Sequence, residues 1–162
     1  MLPADYTFTA ADNGVHTFNV TFKTAGTQTL TVTDPYSGVN GTLSTITVTP
    51  ATASQLQVVA PASVNALTPF RIMVTALDPY GNPVTNYTGT IDFTSSDVLA
   101  WLPPDYTFTT ADAGQHTFNG VILWQTGTQT ITVTDTQTQI IGSMMVQIKK
   151  WAQLPWTDWI LE

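Results

Sequence analysis

Two histidines, His16 and His116, are the residues of this chain whose type best suits proton transfer near neutral pH or binding of a transition metal. They occupy equivalent places in a segment that occurs twice. Each lies among Thr and other polar residues, with no second His nearby, and we find no carboxylate at a metal-ligand spacing. The sequence therefore favours a structural, hydrogen-bonding role for both histidines, and we predict no bound transition metal.

Aspartates are the second group of residues that could bind a ligand, because several of them could assemble a calcium site where domains meet. The residues concerned are Asp5, Asp12, Asp34, Asp78, Asp92, Asp97, Asp105, Asp112 and Asp135. Calcium needs several oxygens converging within one loop, and no D-x-D-x-D-G run is present. An Asp in a turn or at a strand end usually bonds its own backbone. We predict turn-forming aspartates and no cofactor, with calcium as the weaker alternative.

The residues that enzyme chemistry requires are not found. Glu162 is the only Glu, so no pair of glutamates exists, and the sequence has neither a nucleophile elbow nor a Gly-rich phosphate loop. The chain has no Cys, which excludes disulfides and thiolate chemistry. We therefore expect a protein that is not an enzyme.

Composition limits the partners. The net charge is −7 with only four basic side chains, so no basic patch is available for nucleic acid. No apolar run approaches the roughly 20 residues that a spanning helix needs. Charged residues make up only 9% of the chain, and Thr is abundant on the expected surface. This composition fits an extracellular or cell-surface protein better than a cytosolic one.

The elements that position these residues are repeated. Residues 2–18, LPADYTFTAADNGVHTF, return as LPPDYTFTTADAGQHTF in residues 102–118. The offset is 100 as far as Asn19 and Asn119, and it becomes 101 after one inserted residue, Gly120. A period near 100 in 162 residues leaves one full repeat and a fraction. Residues 1–50 therefore correspond to the back half of a repeat, and residues 51–150 to a complete one.

Hydrophobic residues alternate with a period of two, which indicates strands and no helices. The predicted strands of the complete repeat are 55–61, 70–78, 89–96, 105–109, 116–124, 128–135 and 142–149. Seven short strands without helices predict a two-layer β-sandwich, with strands A to C from the front half and D to G from the back half. Residues 1–50 repeat only strands D to G, as four predicted strands at 6–9, 16–22, 27–34 and 41–48.

The same alternation predicts which side chains form the core of the complete repeat. The predicted core residues are Leu56, Val58, Ile72, Val74, Ile91, Phe93, Tyr106, Phe108, Phe118, Ile131, Val133 and Ile148.

The repeats resemble known immunoglobulin-like repeats. The pattern Asp-x-Gly-x-His-Thr-Phe-x-Val-x-Phe, followed by Gly-Thr-Gln-Thr-Leu-Thr-Val, is similar to the later strands of filamin-type immunoglobulin-like repeats. The front half, with its Asp-x-x-Gly-Asn turn at 78–82, resembles the invasin-type repeats of large bacterial surface proteins. The resemblance extends from residue 1 to about residue 149. It implies an immunoglobulin-like fold and a bacterial cell-surface location, and it says almost nothing about a ligand.

The last twelve residues, WAQLPWTDWILE, differ from the repeats in composition. They concentrate Trp151, Trp156 and Trp159 with Leu154 and Ile160, a set too apolar to remain comfortably in water. This tail could fold back on its own domain or dock on another subunit. A membrane-surface anchor is the weakest option, because few basic residues accompany the indoles.

The chain contains one front half and two back halves, so one back half has no front half to complete it. This imbalance is the basis of the predicted function. A four-stranded half-sandwich has open edges and an uncovered apolar face, and strands from another chain could complete it. We therefore predict an extracellular structural protein that partners with itself, head to tail, as a filament. The predicted assembly residues are Phe18, Phe22, Trp151, Leu154, Trp156, Trp159 and Ile160. The alternative is an adhesion or carbohydrate-binding module of a large surface protein.

Overall fold

The computed structural model describes residues 1–150, and the tail 151–162 lies outside the described residues. The chain divides between Pro50 and Ala51 into two compact units, which we call the first unit and the second unit. The first unit contains β1 (Gly26–Thr33) and β2 (Asn40–Val48). The strands of the second unit are β3 (Gln55–Val59), β4 (Ser63–Asn65), β5 (Phe70–Leu77), β6 (Thr90–Ser95), β7 (Tyr106–Thr107), β8 (Gln115–Val121), β9 (Gly127–Asp135) and β10 (Ile141–Lys149).

The second unit is a β-sandwich of two sheets. One sheet has five strands in the order β4-β10-β9-β6-β7, and the other has three strands in the order β3-β5-β8. All neighbours are antiparallel except β4, which runs parallel to β10. Because β5 pairs with β3 and β8, the front half completes the back half that follows it in the chain. The prediction of an ordinary repeat is thus confirmed.

The core of the second unit lies between the two sheets. Of the predicted core residues, all are buried except Phe93 and Tyr106, which are partly buried and pack against the core. The core also contains residues that the prediction did not include, namely Ala66, Phe70, Ala76, Val84, Tyr87, Val121, Leu123 and Val146. The period-two alternation therefore identified the correct face of every long strand.

Two strands of the second unit differ from the prediction. Ser63–Asn65 forms β4, which was not among the predicted strands and which pairs with Gln147–Lys149 of β10. Three residues are too few to show an alternation. The strand predicted at 105–109 is only Tyr106–Thr107, because Thr109 already caps a 3₁₀ turn over Thr110–Asp112.

The first unit has two strands where four were predicted. β1 and β2 form an antiparallel pair, whereas residues 6–9 and 16–22 are not strands. The reason is a lack of partners. In the second unit, β7 pairs with β6 and β8 pairs with β5, and both of those partners come from the front half. Residues 1–50 contain no copy of the front half, so their counterparts of β7 and β8 have nothing to pair with.

The second strand of the first unit, β2, contains a β-bulge. Leu30 pairs with Leu43 and Gln28 with Ile46, so β2 carries one more residue here than β10 does. Thr45, at the bulge, has a positive φ of 63°. The extra residue returns Ile46 and Val48 to the partly buried face of the strand.

Candidate functional site: an open half-sandwich

A polar cluster of the back half surrounds Asp112. Its carboxylate accepts the backbone N–H of Thr109 at 2.7 Å, the Thr109 hydroxyl at 2.8 Å and the Tyr106 hydroxyl at 3.0 Å. His116 Nδ1 lies 2.7 Å from Asp112 Oδ1, and the His116 ring stacks on Tyr106 with centroids 4.1 Å apart. The hydrogen bonds from Thr109, and then those from His116 and Tyr106, lower the pKa of Asp112.

The first unit builds the same cluster around Asp12. Thr9 N and Tyr6 Oη donate to its carboxylate at 2.7 and 2.8 Å, and His16 stacks on Tyr6. These hydrogen bonds, with that from the Thr9 backbone the largest, lower the pKa of Asp12 to about 2. Because the cluster forms in both units, it depends on local sequence and not on the front half.

One part of the histidine interpretation is corrected by this cluster. Each His does have a carboxylate close by, since Asp12 and Asp112 lie four residues before His16 and His116. The hydrogen-bonding role is confirmed for His116, whose Nδ1 lies 2.7 Å from Asp112 Oδ1, whereas His16 Nδ1 lies 3.5 Å from Asp12 Oδ1. Within residues 1–150, no group of three or more His, Asp, Glu or Cys side chains is placed to hold a metal ion. Over the same residues, no helix is long and apolar enough to cross a membrane.

Three aspartates of the second unit shape its turns, as predicted. Asp78 accepts the N–H groups of Tyr80 and Asn82, the Asn82 side-chain amide, and the N–H of Ala51. Asp97 accepts the N–H groups of Leu99, Trp124 and Gln125, and Asp135 those of Gln137 and Thr138. All three side chains are almost fully buried, and their carboxylates are satisfied by backbone donors.

These carboxylates predict how stability depends on pH. Burial of Asp78 acts to raise its pKa, but the hydrogen bonds from the Asn82 side chain and from three backbone N–H groups outweigh burial and lower it to about 2. A folded-state pKa below the unfolded value of about 3.9 gives stability that is present above pH 4 and is lost as pH falls towards 2. We expect the melting temperature to fall over this window in thermal scans. The Asp78→Asn variant should show a shallower fall, and an unchanged fall would contradict this assignment.

Several polar and aromatic contacts add to the strand pairing that joins the front half to the back half. In the second unit, Tyr87 Oη donates to Asp135 Oδ2 at 2.5 Å, and Ser96 Oγ donates to Gln129 Oε1 at 2.6 Å. Across the sheets, the rings of Phe93 and Phe118 meet with centroids 4.8 Å apart. Between β6 and β7, the hydroxyls of Thr90 and Thr107 lie 2.8 Å apart.

The first unit retains the back-half member of every one of these contacts. The counterparts of Asp135, Gln129, Phe118 and Thr107 are Asp34, Gln28, Phe18 and Thr7. No residue of the first unit is buried. Val32 is 60% exposed although its counterpart Val133 is fully buried, and Phe8 is 54% exposed although Phe108 is 1% exposed. The first unit therefore presents a core-type surface without its cover.

The predicted assembly residues fall in two groups. Phe18 and Phe22 are partly buried within the first unit, and they correspond to Phe118 of β8 and to Leu123, which lies just after β8. Trp151, Leu154, Trp156, Trp159 and Ile160 lie outside the described residues. Val32 and Phe8 were not among the predicted assembly residues, and both are exposed because residues 1–50 lack the front half that covers Val133 and Phe108.

Comparisons with known proteins give the class of fold. No family model matches the chain, and no curated protein matches it. A solved β-glycosidase from Bacteroides vulgatus is similar over 70% of this chain and 19% of its own, with 14% identity and a TM-score of 0.51. A glycosyl hydrolase family 2 member from Bacteroides cellulosilyticus is similar over 88% of this chain and 20% of its own, with 12% identity and a TM-score of 0.53.

The chain thus spans about a fifth of the length of each glycosidase. At this identity the likeness concerns the fold alone. Together with the two-sheet topology, it defines the second unit as an immunoglobulin-like β-sandwich, as the sequence predicted.

Proposed function

We propose that this chain is a non-catalytic structural protein of the bacterial cell surface or extracellular space, which assembles head to tail with copies of itself. In the assembly, the first unit of one copy is covered by a neighbouring copy. The observation that supports the proposal most directly is the contrast between Val32, which is 60% exposed, and its buried counterpart Val133. The two strands are nearly identical in sequence, yet Val133 is packed in a core in the second unit and Val32 is not packed in one in the first unit.

The energetic drive comes from the open face and the open edge of the first unit. Burying a side chain such as Val32, Phe8 or Leu43 contributes roughly 1.5–3 kcal/mol. Among the described residues β1 pairs only with β2, whereas its counterpart β9 also pairs, on its other side, with β6 of the front half. An added strand from another chain would satisfy the backbone groups of this edge and cover the face.

The tail of a neighbouring copy is the segment that we assign to this role, with a face of the neighbour's second unit as the other option. The tail carries three Trp residues and no repeat contains its sequence. A contact between the first unit of one copy and the tail of the next uses two different surfaces, so it does not close on itself and extends into a filament. We expect it to bury more than about 1,000 Å² and to be rich in apolar area.

Assembly can be tested on the intact chain by sedimentation at increasing concentration and by electron microscopy. We expect polymers whose length grows with concentration. The Val32→Asp variant should prevent them, because it places a charge on the surface to be covered. Tyr36→Asp is the matched control, since Tyr36 is 99% exposed in a turn and its counterpart Gln137 is exposed too. An intact chain that stays monomeric, or equal effects of the two variants, would disprove the proposal.

The second candidate function is an adhesion or carbohydrate-binding module. One observation favours it: Trp101 and Trp124 are exposed on the second unit, and neither contributes to the core. This candidate and assembly use different surfaces, so one chain could have both.

A further inference from the structure

A groove of about 350 Å³ opens on the second unit between β8 and residues 101–104. Trp101 pairs with Ile122 through two backbone hydrogen bonds of 2.8 and 3.0 Å. Pro103 and Pro104 follow, and because proline has no N–H the segment cannot continue the ladder along β8. The two segments separate there and leave the groove, which is open to solvent.

The wall that β8 contributes is modified by an insertion. Gly120 is the residue that the second repeat has in addition to the first, and it has a φ of +81°. The pairing of β5 with β8 shifts register at this point, so Gly120 makes a β-bulge. Pro104 and Trp124 also differ from the first repeat, which has Ala4 and Lys23 in their places. Three of the positions at which the two repeats differ, Pro104, Gly120 and Trp124, therefore lie in or near the segments that form the groove.

Two exposed indoles lie at the Trp101–Ile122 bridge, at one end of the groove. Trp101 lines the groove and is 69% exposed. Trp124 is 48% exposed and lies two residues after Ile122, the bridge partner of Trp101. Because Val121 and Leu123 are buried, Trp124 points outward with Ile122. Diagonal neighbours of this kind have Cβ atoms about 7–8 Å apart, so both indoles can contact one extended ligand.

The chemistry of the lining selects an uncharged ligand with both apolar faces and hydroxyl groups. No Asp, Glu, Lys or Arg lines the groove. The indole faces carry negative charge density, which attracts the polarised C–H groups of a sugar ring. Asn119 and His116 also line the groove, and Asp112 engages only Nδ1 of His116. The Asn119 amide and His116 Nε2 can therefore exchange hydrogen bonds with sugar hydroxyls.

We infer that this groove binds a neutral polysaccharide, with Trp101 and Trp124 as the surfaces on which sugar rings stack. This inference rests on the second candidate function and is independent of assembly. It needs only the second unit, in which the front and back halves are both present.

Affinity electrophoresis of the full chain tests the inference, in native gels that contain hydroxyethylcellulose, galactomannan or laminarin. We expect at least one of these neutral polysaccharides to retard the protein, and polygalacturonate, which is anionic, not to do so. Trp101→Ala should weaken the retardation at least about tenfold. Trp124→Lys should weaken it as well, and it should leave the fold intact because Trp124 is 48% exposed and lies outside the core. Circular dichroism should show both variants to be folded.

Two further variants test whether polysaccharide binding depends on the groove alone or also on the tail and the first unit. A Trp156→Ser/Trp159→Ser variant should be retarded as strongly as the parent, and so should Val32→Asp, which should not assemble. Retained binding in a Val32→Asp chain with no assembly in the parent would reject the filament and keep the groove. The inference is overturned if no neutral polysaccharide retards the parent, if polygalacturonate retards it equally, if Trp101→Ala binds normally, or if the tail variant loses retardation.

Discussion

Deletion of residues 151–162 should abolish or shorten the polymers of this chain while the domain of residues 51–150 stays folded. The domain should survive because its whole core lies between Leu56 and Ile148, in two sheets that the described residues complete. The polymers should suffer because the tail contains three of the five Trp residues of the chain. A buried Trp at the centre of an interface commonly contributes 2 kcal/mol or more, which corresponds to roughly thirtyfold in affinity.

A finer version of this experiment replaces only Trp156 and Trp159 with Ser. Sedimentation velocity and electron microscopy should show the same loss of polymers as the deletion does. Trp101→Ala serves as the control, because it removes an exposed indole from the second unit and should leave the polymers unchanged. The filament is wrong if the truncated chain polymerises as well as the parent. It is equally wrong if the intact chain is monomeric at high concentration and melts in one sharp transition.

The sequence was sufficient for the second unit because its long strands alternate cleanly. In β9, Ile131 and Val133 are buried and the Thr residues between and beside them are only partly buried. In β5, Ile72 and Val74 are buried as the alternation predicts, although Thr75 on the other face is buried too. Val84 and Tyr87 were missed because they lie in the turn-rich segment between β5 and β6, where no alternation exists. Their burial depends on tertiary contacts such as the hydrogen bond from Tyr87 to Asp135.

The first unit shows where local sequence stops being informative. Residues 16–19 and 116–119 are both His-Thr-Phe-Asn, yet only the second copy forms a strand. A strand requires a partner as well as a propensity, and the partner of β8 is β5. The comparison of halves did predict that residues 1–50 lack cover, but the loss of their first two strands was not anticipated.

The polar cluster was detectable, although the interpretation treated its histidines as isolated. Thr109, Asp112 and His116 keep the same spacing as Thr9, Asp12 and His16. Thr-x-x-Asp is the sequence of a capping box, and the structure contains it in both units. The groove beside Trp101 had no such signal, because it depends on a bridge between Trp101 and Ile122 and on the two prolines that end it.

Gly-to-Ala substitutions at equivalent positions should have different effects in the two units, because the two glycines are packed differently. A Cβ atom added to Gly142 of β10 would lie 2.0 Å from the carbonyl oxygen of Leu56 and 3.0 Å from its Cβ. Backbone of the opposite sheet cannot move away without disturbing β3, so Gly142→Ala should destabilise the second unit by roughly 1–3 kcal/mol or more. For a domain of this size, we expect the melting temperature to fall by at least about 4 °C.

Gly41 of β2 is the counterpart of Gly142, and a Cβ atom added there has no atom within 4 Å. Gly41→Ala should therefore leave the melting temperature of the second unit unchanged. In the assembly its effect depends on the neighbour: if a strand covers Gly41 as β3 covers Gly142, Gly41→Ala should shorten the polymers. Equal melting temperatures for Gly142→Ala and the parent would contradict the close contact between β10 and β3. Normal polymers from Gly41→Ala would show that the neighbouring copy covers the first unit without approaching β2 as closely as β3 approaches β10.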